Sequence, residues 1–143
     1  MTASPVAIAL VKTFESCRLV AYRDTGGVLT IGWGHTHGVK IGDTCTQVQA
    51  DSWLYDDLAI AAAGVTRAIR VGVTQNQFDA LASFQFNTGG LTQKECHLRD
   101  YLNEGKITLA ADEFPRWDHD ATGREVPGLR RRRLAEMQLF LKG

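Results

Sequence analysis

The sequence predicts an α+β domain, mostly helical, with one small antiparallel sheet near the N-terminus. Three observations carry this. A β-prone run, Val28-Leu29-Thr30-Ile31-Gly32-Trp33, follows the turn sequence Asp24-Thr25-Gly26-Gly27. Three helix-start signatures then come in succession, Thr46 with Gln49, Thr74 with Gln77 and Thr92 with Glu95, each a hydroxyl followed three residues later by a side chain that can reciprocate. No repeat, linker or low-complexity tract divides the 143 residues, so residues 1–143 are expected to form one domain, which at this length buries about two-thirds of its unfolded surface.

Ser4-Pro5 offers a capping oxygen followed by a proline whose missing N–H is harmless, which predicts a first helix from Pro5 to about Glu15 with Val6, Leu10 and Phe14 on one face. Residues Leu19 to Tyr22 extend into the Asp24 turn and pair with the run at Val28 to Trp33, and a further short strand is expected near Val39 to Ile41. A long helix from about Gln47 to Ile69 should pack centrally through Val48, Tyr55, Leu58, Ala62, Val65 and Ile69. A helix from Gln75 to about Asn87 buries Phe78, Leu81, Ala82 and Phe86 and stops at Gly89-Gly90. The third capping signature should open a helix ending near Gly105. A shorter helix from Thr108 is interrupted by Pro115, a polar loop spans Asp118 to Val126, and a last helix runs from about Pro127 to Leu141.

Sixteen basic and sixteen acidic side chains cancel, but residues 116–143 carry seven basic and four acidic groups against nine and twelve before them. This asymmetry reads as a solvated helix face rather than a nucleic-acid surface. Cys17, Cys45 and Cys96 have no CxxC spacing and suit free thiols, with a Cys17 to Cys45 bridge conceivable in an oxidising compartment. The first twelve residues lack a basic leader and a span of about 20 apolar residues, so neither signal peptide nor anchor is expected.

The chemistry lies in Glu15, Asp24 and Thr30. Hydrolysis of a glycosidic bond needs an acid that protonates the leaving oxygen and a carboxylate that activates water or attacks carbon. Glu15, at the C-terminal end of an apolar helix, sits where desolvation and the helix dipole favour the protonated form. Asp24, in a glycine-flanked turn, favours the ionised form, and Thr30 supplies a hydroxyl whose direction the strand fixes. Taken singly, Glu15 reads more readily as a solvent-exposed helix residue, Asp24 as a turn former and Thr30 as a strand former, and it is their joint spacing that favours the chemical reading. His35 and His37 face the same way on a strand, but no further ligands at recognised spacing accompany them, and no metal or cofactor is expected.

With Glu15, eight residues, Asp24, five residues and Thr30, set in Arg18, Ala21-Tyr22 and Thr30-Ile31-Gly32-Trp33-Gly34-His35-Thr36, the segment resembles the phage lysozyme (T4-type endolysin, muramidase) family. The resemblance resumes at Gln77 to Phe84, at Phe86-Asn87-Thr88-Gly89, at Trp117, and at Pro127-Gly128-Leu129 with the arginines before Glu136, so it covers essentially the whole chain. Ser16-Cys17 and Asp118-His119-Asp120 depart from the glycines common in the family.

The resemblance implies a lysozyme-like fold and hydrolysis, with inversion, of the β-1,4 link from N-acetylmuramic acid to N-acetylglucosamine in peptidoglycan. In that implied scheme Glu15 is the general acid, Asp24 activates water and Thr30 positions it. His35, Phe86 and Asn87 belong to the substrate side, His35 also bracing the sheet against a carboxylate. One of Arg130 to Arg133 could pair with Glu15, and the others could meet anionic groups of the wall or of an outer membrane. A monomeric endolysin made in the host cytoplasm, reaching periplasmic peptidoglycan through a holin-type membrane lesion, is the expected setting. The rival readings are a lytic transglycosylase, which needs neither Asp24 nor Thr30, and a non-catalytic peptidoglycan-binding relative.

Overall fold

The computed structural model describes residues 1–143. The elements are α1 (Pro5–Phe14), β1 (Arg18–Arg23), β2 (Leu29–Gly32), α2 (Gln47–Ala68), α3 (Gln75–Thr88), α4 (His97–Asn103), α5 (Ile107–Glu113) and α6 (Pro127–Lys142), with single 3-10 turns at Gly90–Thr92 and Phe114–Arg116. The α+β expectation holds.

Helix starts at α1, α2 and α3 follow the capping chemistry. Ser4 Oγ accepts the N–H of Val6, and Pro5 begins α1. Both capping boxes close reciprocally: Gln49 N–H to Thr46 Oγ1 and Thr46 N–H to Gln49 Oε1, then the same pair at Thr74 and Gln77. At the other end of α3, Gly89 takes the left-handed conformation at φ 65°.

The third signature fails. Thr92 Oγ1 instead accepts from the Gln85 amide at 3.0 Å and donates to the Gly89 carbonyl at 3.2 Å, so it closes the end of α3. Helix α4 begins later, after Cys96, with no side-chain cap. The segment between is held by Arg99, whose guanidinium donates to the carbonyls of Leu91, Gln93 and Lys94.

The sheet is two-stranded, with Tyr22 opposite Thr30, Arg23 opposite Leu29, and a bulge before Arg18 meets Gly32. The strand expected at Val39 to Ile41 is a turn: Lys40 N–H donates to Asp43 Oδ2 at 2.8 Å, glycines at 38 and 42 are left-handed, and Ile41 is exposed. Pairing with β1 comes later, as one bridge of Val20 with Thr44, flanked by Ala21 N–H to the Asp43 carbonyl and Cys45 N–H to the Leu19 carbonyl.

The core gathers Ala7 and Val11 of α1, Leu54, Leu58, Ala62 and Val65 of α2, Phe78, Leu81 and Phe84 of α3, and Leu98, Leu102, Phe114 and Phe140 beyond. Several expected core residues face out, among them Val6, Val48 and Tyr55, at 47%, 79% and 56% exposed. In α2 the expected Leu58, Ala62 and Val65 are buried, as is Ile69 at its C-cap, and Ala50, Leu54 and Ala61 take the places of Val48 and Tyr55 in the packed face. Helix α1 buries Ala7 and Val11.

Two polar ties hold the sheet and α1 to the helical body. The Trp33 indole N–H donates to Asp51 Oδ1 on α2 at 2.7 Å, the Gln47 amide donates to the same oxygen, and Lys12 of α1 lies 3.6 Å from it and over the Trp33 ring. On the far side, Ser4 N–H and Oγ both donate to the buried Asp79 carboxylate of α3.

Candidate active site

A cleft of about 640 Å³ opens where the sheet, α2 and the end of α3 meet, and Glu15, Asp24 and Thr30 all line it. Each comes from a different local structure. Glu15 is the C-cap of α1, with extended backbone, its N–H bonded to the Val11 carbonyl. Asp24 sits in the turn between strands, where Oδ1 accepts the N–H groups of Gly26 and Val28 at 2.9 and 2.8 Å. That leaves Oδ2 for a ligand. Thr30 is 3% exposed on β2 and donates its hydroxyl proton to the Val28 carbonyl at 2.9 Å, so its remaining capacity is as an acceptor.

Glu15 is not alone. Arg132 Nη1 of α6 lies 3.0 Å from its Oε1, and the guanidinium is almost fully buried. Of the arginines that the charge run offered, this is the one that pairs. Arg133 is also buried, against Glu136, while Arg130 and Arg131 remain exposed, Arg130 lying 3.4 Å from Asp118. The reading of this run as a solvated face is therefore corrected for half of it. Two arginines are turned inward because buried carboxylates, Glu136 and partly Glu15, neutralise them.

On the other side of Glu15 runs Gly34, at φ 89°, where a Cβ would stand 3.4 Å from Glu15 Oε2. Tyr22 faces the same space. Burial pushes its phenol up, against the opposing pull of the Arg18 guanidinium stacked 4.2 Å over its ring, so it stays a protonated donor.

Phe86 and Asn87 line the cleft, Phe86 half-buried with Arg132 5.9 Å over its ring, Asn87 exposed. His35 does not line it. Its Nδ1 is 2.7 Å from Asp57 Oδ2 and its ring stacks on Trp53 with centroids 4.7 Å apart, which makes it a brace between the sheet and α2. Thr36 and His37 line the cleft in its place. Sequence reasoning also missed Gln85 and Arg67 on the cleft wall. Gln85 carried a signal in its place one residue before Phe86; Arg67, at the end of a long helix, carried none. The three cysteines are free thiols, and no helix is long and apolar enough to cross a membrane.

A small sheet carrying a carboxylate and a hydroxyl, packed against a helical body whose first helix presents a second carboxylate to one cleft, defines a lysozyme-like protein. The Phage lysozyme family profile matches residues 12–136, and the chain belongs to that family. It is 40% identical to the endolysin of Acyrthosiphon pisum secondary endosymbiont phage 1, over 98% of each sequence. It is 43% identical to the endolysin of Bacillus phage PZA over its whole length but spans only 56% of that protein. Among solved structures, the muramidase domain of SpmX from Asticaccaulis excentricus superposes with a TM-score of 0.87 at 34% identity, covering 98% of this chain and 97% of that one.

Proposed function

We propose that the chain is an endolysin that hydrolyses the β-1,4 bond between N-acetylmuramic acid and N-acetylglucosamine in peptidoglycan. The observation that carries this reading is the convergence of Glu15, Asp24 and Thr30 on one cleft. Glu15 donates its proton to the glycosidic oxygen as the bond to the anomeric carbon breaks. Asp24, held by two backbone N–H groups at Oδ1, takes a proton at Oδ2 from a water whose other O–H is accepted by Thr30 Oγ1. The water oxygen adds to the anomeric carbon from the face opposite the leaving group, so the configuration inverts. Phe86 offers a ring face to the sugar and Asn87 an amide to an acetamido group. Access from the cytoplasm to the wall is through a holin-type lesion, and the exposed Arg130 and Arg131 are the part of the charge run left to meet anionic envelope groups.

The test is mass spectrometry of products from purified peptidoglycan, comparing the wild type with Glu15→Gln and Asp24→Asn. Reducing muropeptides from the wild type and none from either variant are expected. Anhydro products that survive Asp24→Asn would place the protein with the lytic transglycosylases, and wall binding without any release would make it a binding module.

A further inference from the structure

Behind the cleft, where α3 packs on α6, Glu136 is wholly buried at 0% exposure and touches both inward-facing arginines. Its Oε2 accepts from Ser83 Oγ at 2.6 Å and from Arg133 Nη2 at 3.1 Å, and lies 3.5 Å from Arg132 Nε. Its Oε1 stands 2.6 Å from Arg133 Nε. Arg132 in turn reaches Glu15. Two guanidiniums and two carboxylates thus form one chain of contacts from the core to the cleft. Such a cluster adds little net stability over apolar side chains of the same volume, so its presence calls for another role.

We propose that Glu136 is a positioning residue for the proton donor: acting through Arg132, it supplies the negative charge that allows Glu15 to carry a proton while the guanidinium stays in place. The inference rests on the reading of Glu15 as the general acid. An acid that begins each turnover protonated cannot be the sole counter-charge of a buried arginine. With Glu15 neutral and no Glu136, Arg132 and Arg133 would be two buried cations without a carboxylate, and that imbalance would drive Glu15 to ionise. Glu136 removes the imbalance.

The contact geometry fits this task. Arg132 Nε and Arg133 Nε have no acceptor aligned with them, although Glu136 is within ion-pair distance of both. Glu136 therefore holds these nitrogens by charge rather than by directed hydrogen bonds, and Arg132 loses none at Nε as Glu15 gains or gives up its proton. The other charged groups on the packed elements are engaged elsewhere: Asp79 of α3 with Ser4 and Gln75, Glu113 of α5 with Arg116, and Asp118 with His119 and Arg130. From the sheet, Tyr22 is within electrostatic reach of Glu15, Arg18 and Asp24.

The experiment is the pH profile of kcat/KM on purified peptidoglycan for the wild type, Glu136→Gln and the double variant Arg133→Met with Glu136→Leu. The double variant exchanges an ion pair for apolar side chains, which folds generally tolerate. In Glu136→Gln the alkaline limb, which reports loss of the donor's proton, should move to lower pH by about 1 to 3 units, the effect of one unbalanced neighbouring cation. The double variant should move it the same way by less, because Arg132 then belongs to Glu15 alone. A purely structural role would lower the melting temperature and leave the limb unmoved, and an unmoved limb in either folded variant overturns the inference. Full activity in Glu15→Gln would sink the underlying reading instead, so the two failures are distinct.

Discussion

Arg132 and Glu15, 117 residues apart in the chain, meet at 3.0 Å, with the guanidinium 3% exposed and the carboxylate 23%. This contact joins the last helix to the end of the first, with only its Glu15 side lining the cleft.

Arg132→Met breaks that contact and leaves Glu136 with one arginine. Removing one partner from a buried ion pair costs about 3 to 5 kcal/mol, so a clear fall in urea midpoint is expected, with the slope unchanged. In protein that remains folded, the alkaline limb of activity should move to higher pH, opposite to Glu136→Gln, because the cation that favours the Glu15 carboxylate is gone. A midpoint within experimental error of wild type would show that Arg132 is not structurally engaged.

Gly34→Ala tests the approach to Glu15. At φ 89° any side chain is strained by about 1 to 3 kcal/mol, and here the new methyl would also stand 3.4 Å from Glu15 Oε2. Lower stability should therefore come with a fall in kcat beyond what the unfolded fraction explains. Equal kcat per folded molecule would mean that the carboxylate adjusts freely.

Gly90→Ala is a purely steric case. Its Cβ would fall 2.7 Å from the Trp117 ring and 3.1 Å from Phe84, where Phe84 and Trp117 pack edge to face. Overpacking of this kind costs about 1 to 3 kcal/mol, visible as a lowered thermal midpoint. Pairing it with Trp117→Leu should recover part of the loss, and absence of any recovery would argue against that contact as the cause.

Asp51 predicts the acid side of the stability curve. The Trp33 indole N–H first, then the Gln47 amide, hold its carboxyl below the usual range. A folded value below the unfolded one means the stabilisation is complete above about pH 4 and disappears as pH falls through the folded value. Asp51→Asn should therefore lower the thermal midpoint at neutral pH and flatten its decline below about pH 4. Parallel curves for the two proteins would rule out this linkage.

How much of this was legible in the sequence follows from where each signal resides. The starts of α1, α2 and α3 were readable because a cap needs only its own first turn, as at Thr46 with Gln49. Thr92 carried the same signature and misled, because its hydroxyl is engaged by Gln85 from the preceding helix. The strand expected at Val39 to Ile41 failed similarly: β-prone side chains were present, but the glycines on both sides bend the backbone into a turn. For the site, Glu15, Asp24 and Thr30 lie within one short segment and share one cleft. Glu136, three and four residues beyond Arg133 and Arg132, was a local sign that two of the four arginines could be paired, but that this side of α6 faces the core depends on its packing against α3 and on Glu15, 117 residues away. For His35 the expected brace against a carboxylate is present, with Asp57 22 residues away on α2, whereas its expected place on the substrate side is taken by Thr36 and His37.

The pairing of Glu15 with Arg132 also orders events in time. Glu15 leaves the ribosome early, whereas Arg132 follows 117 residues later, which at about 5 to 20 residues per second is roughly 6 to 25 seconds. Throughout that interval the proposed donor lacks its guanidinium, and the helix that seals the wall behind it does not yet exist. A chain cut short before α6 would keep all three cleft residues and the turn that holds Asp24 and Thr30, but would lack the guanidinium that meets Glu15 and the helix on which α3 packs.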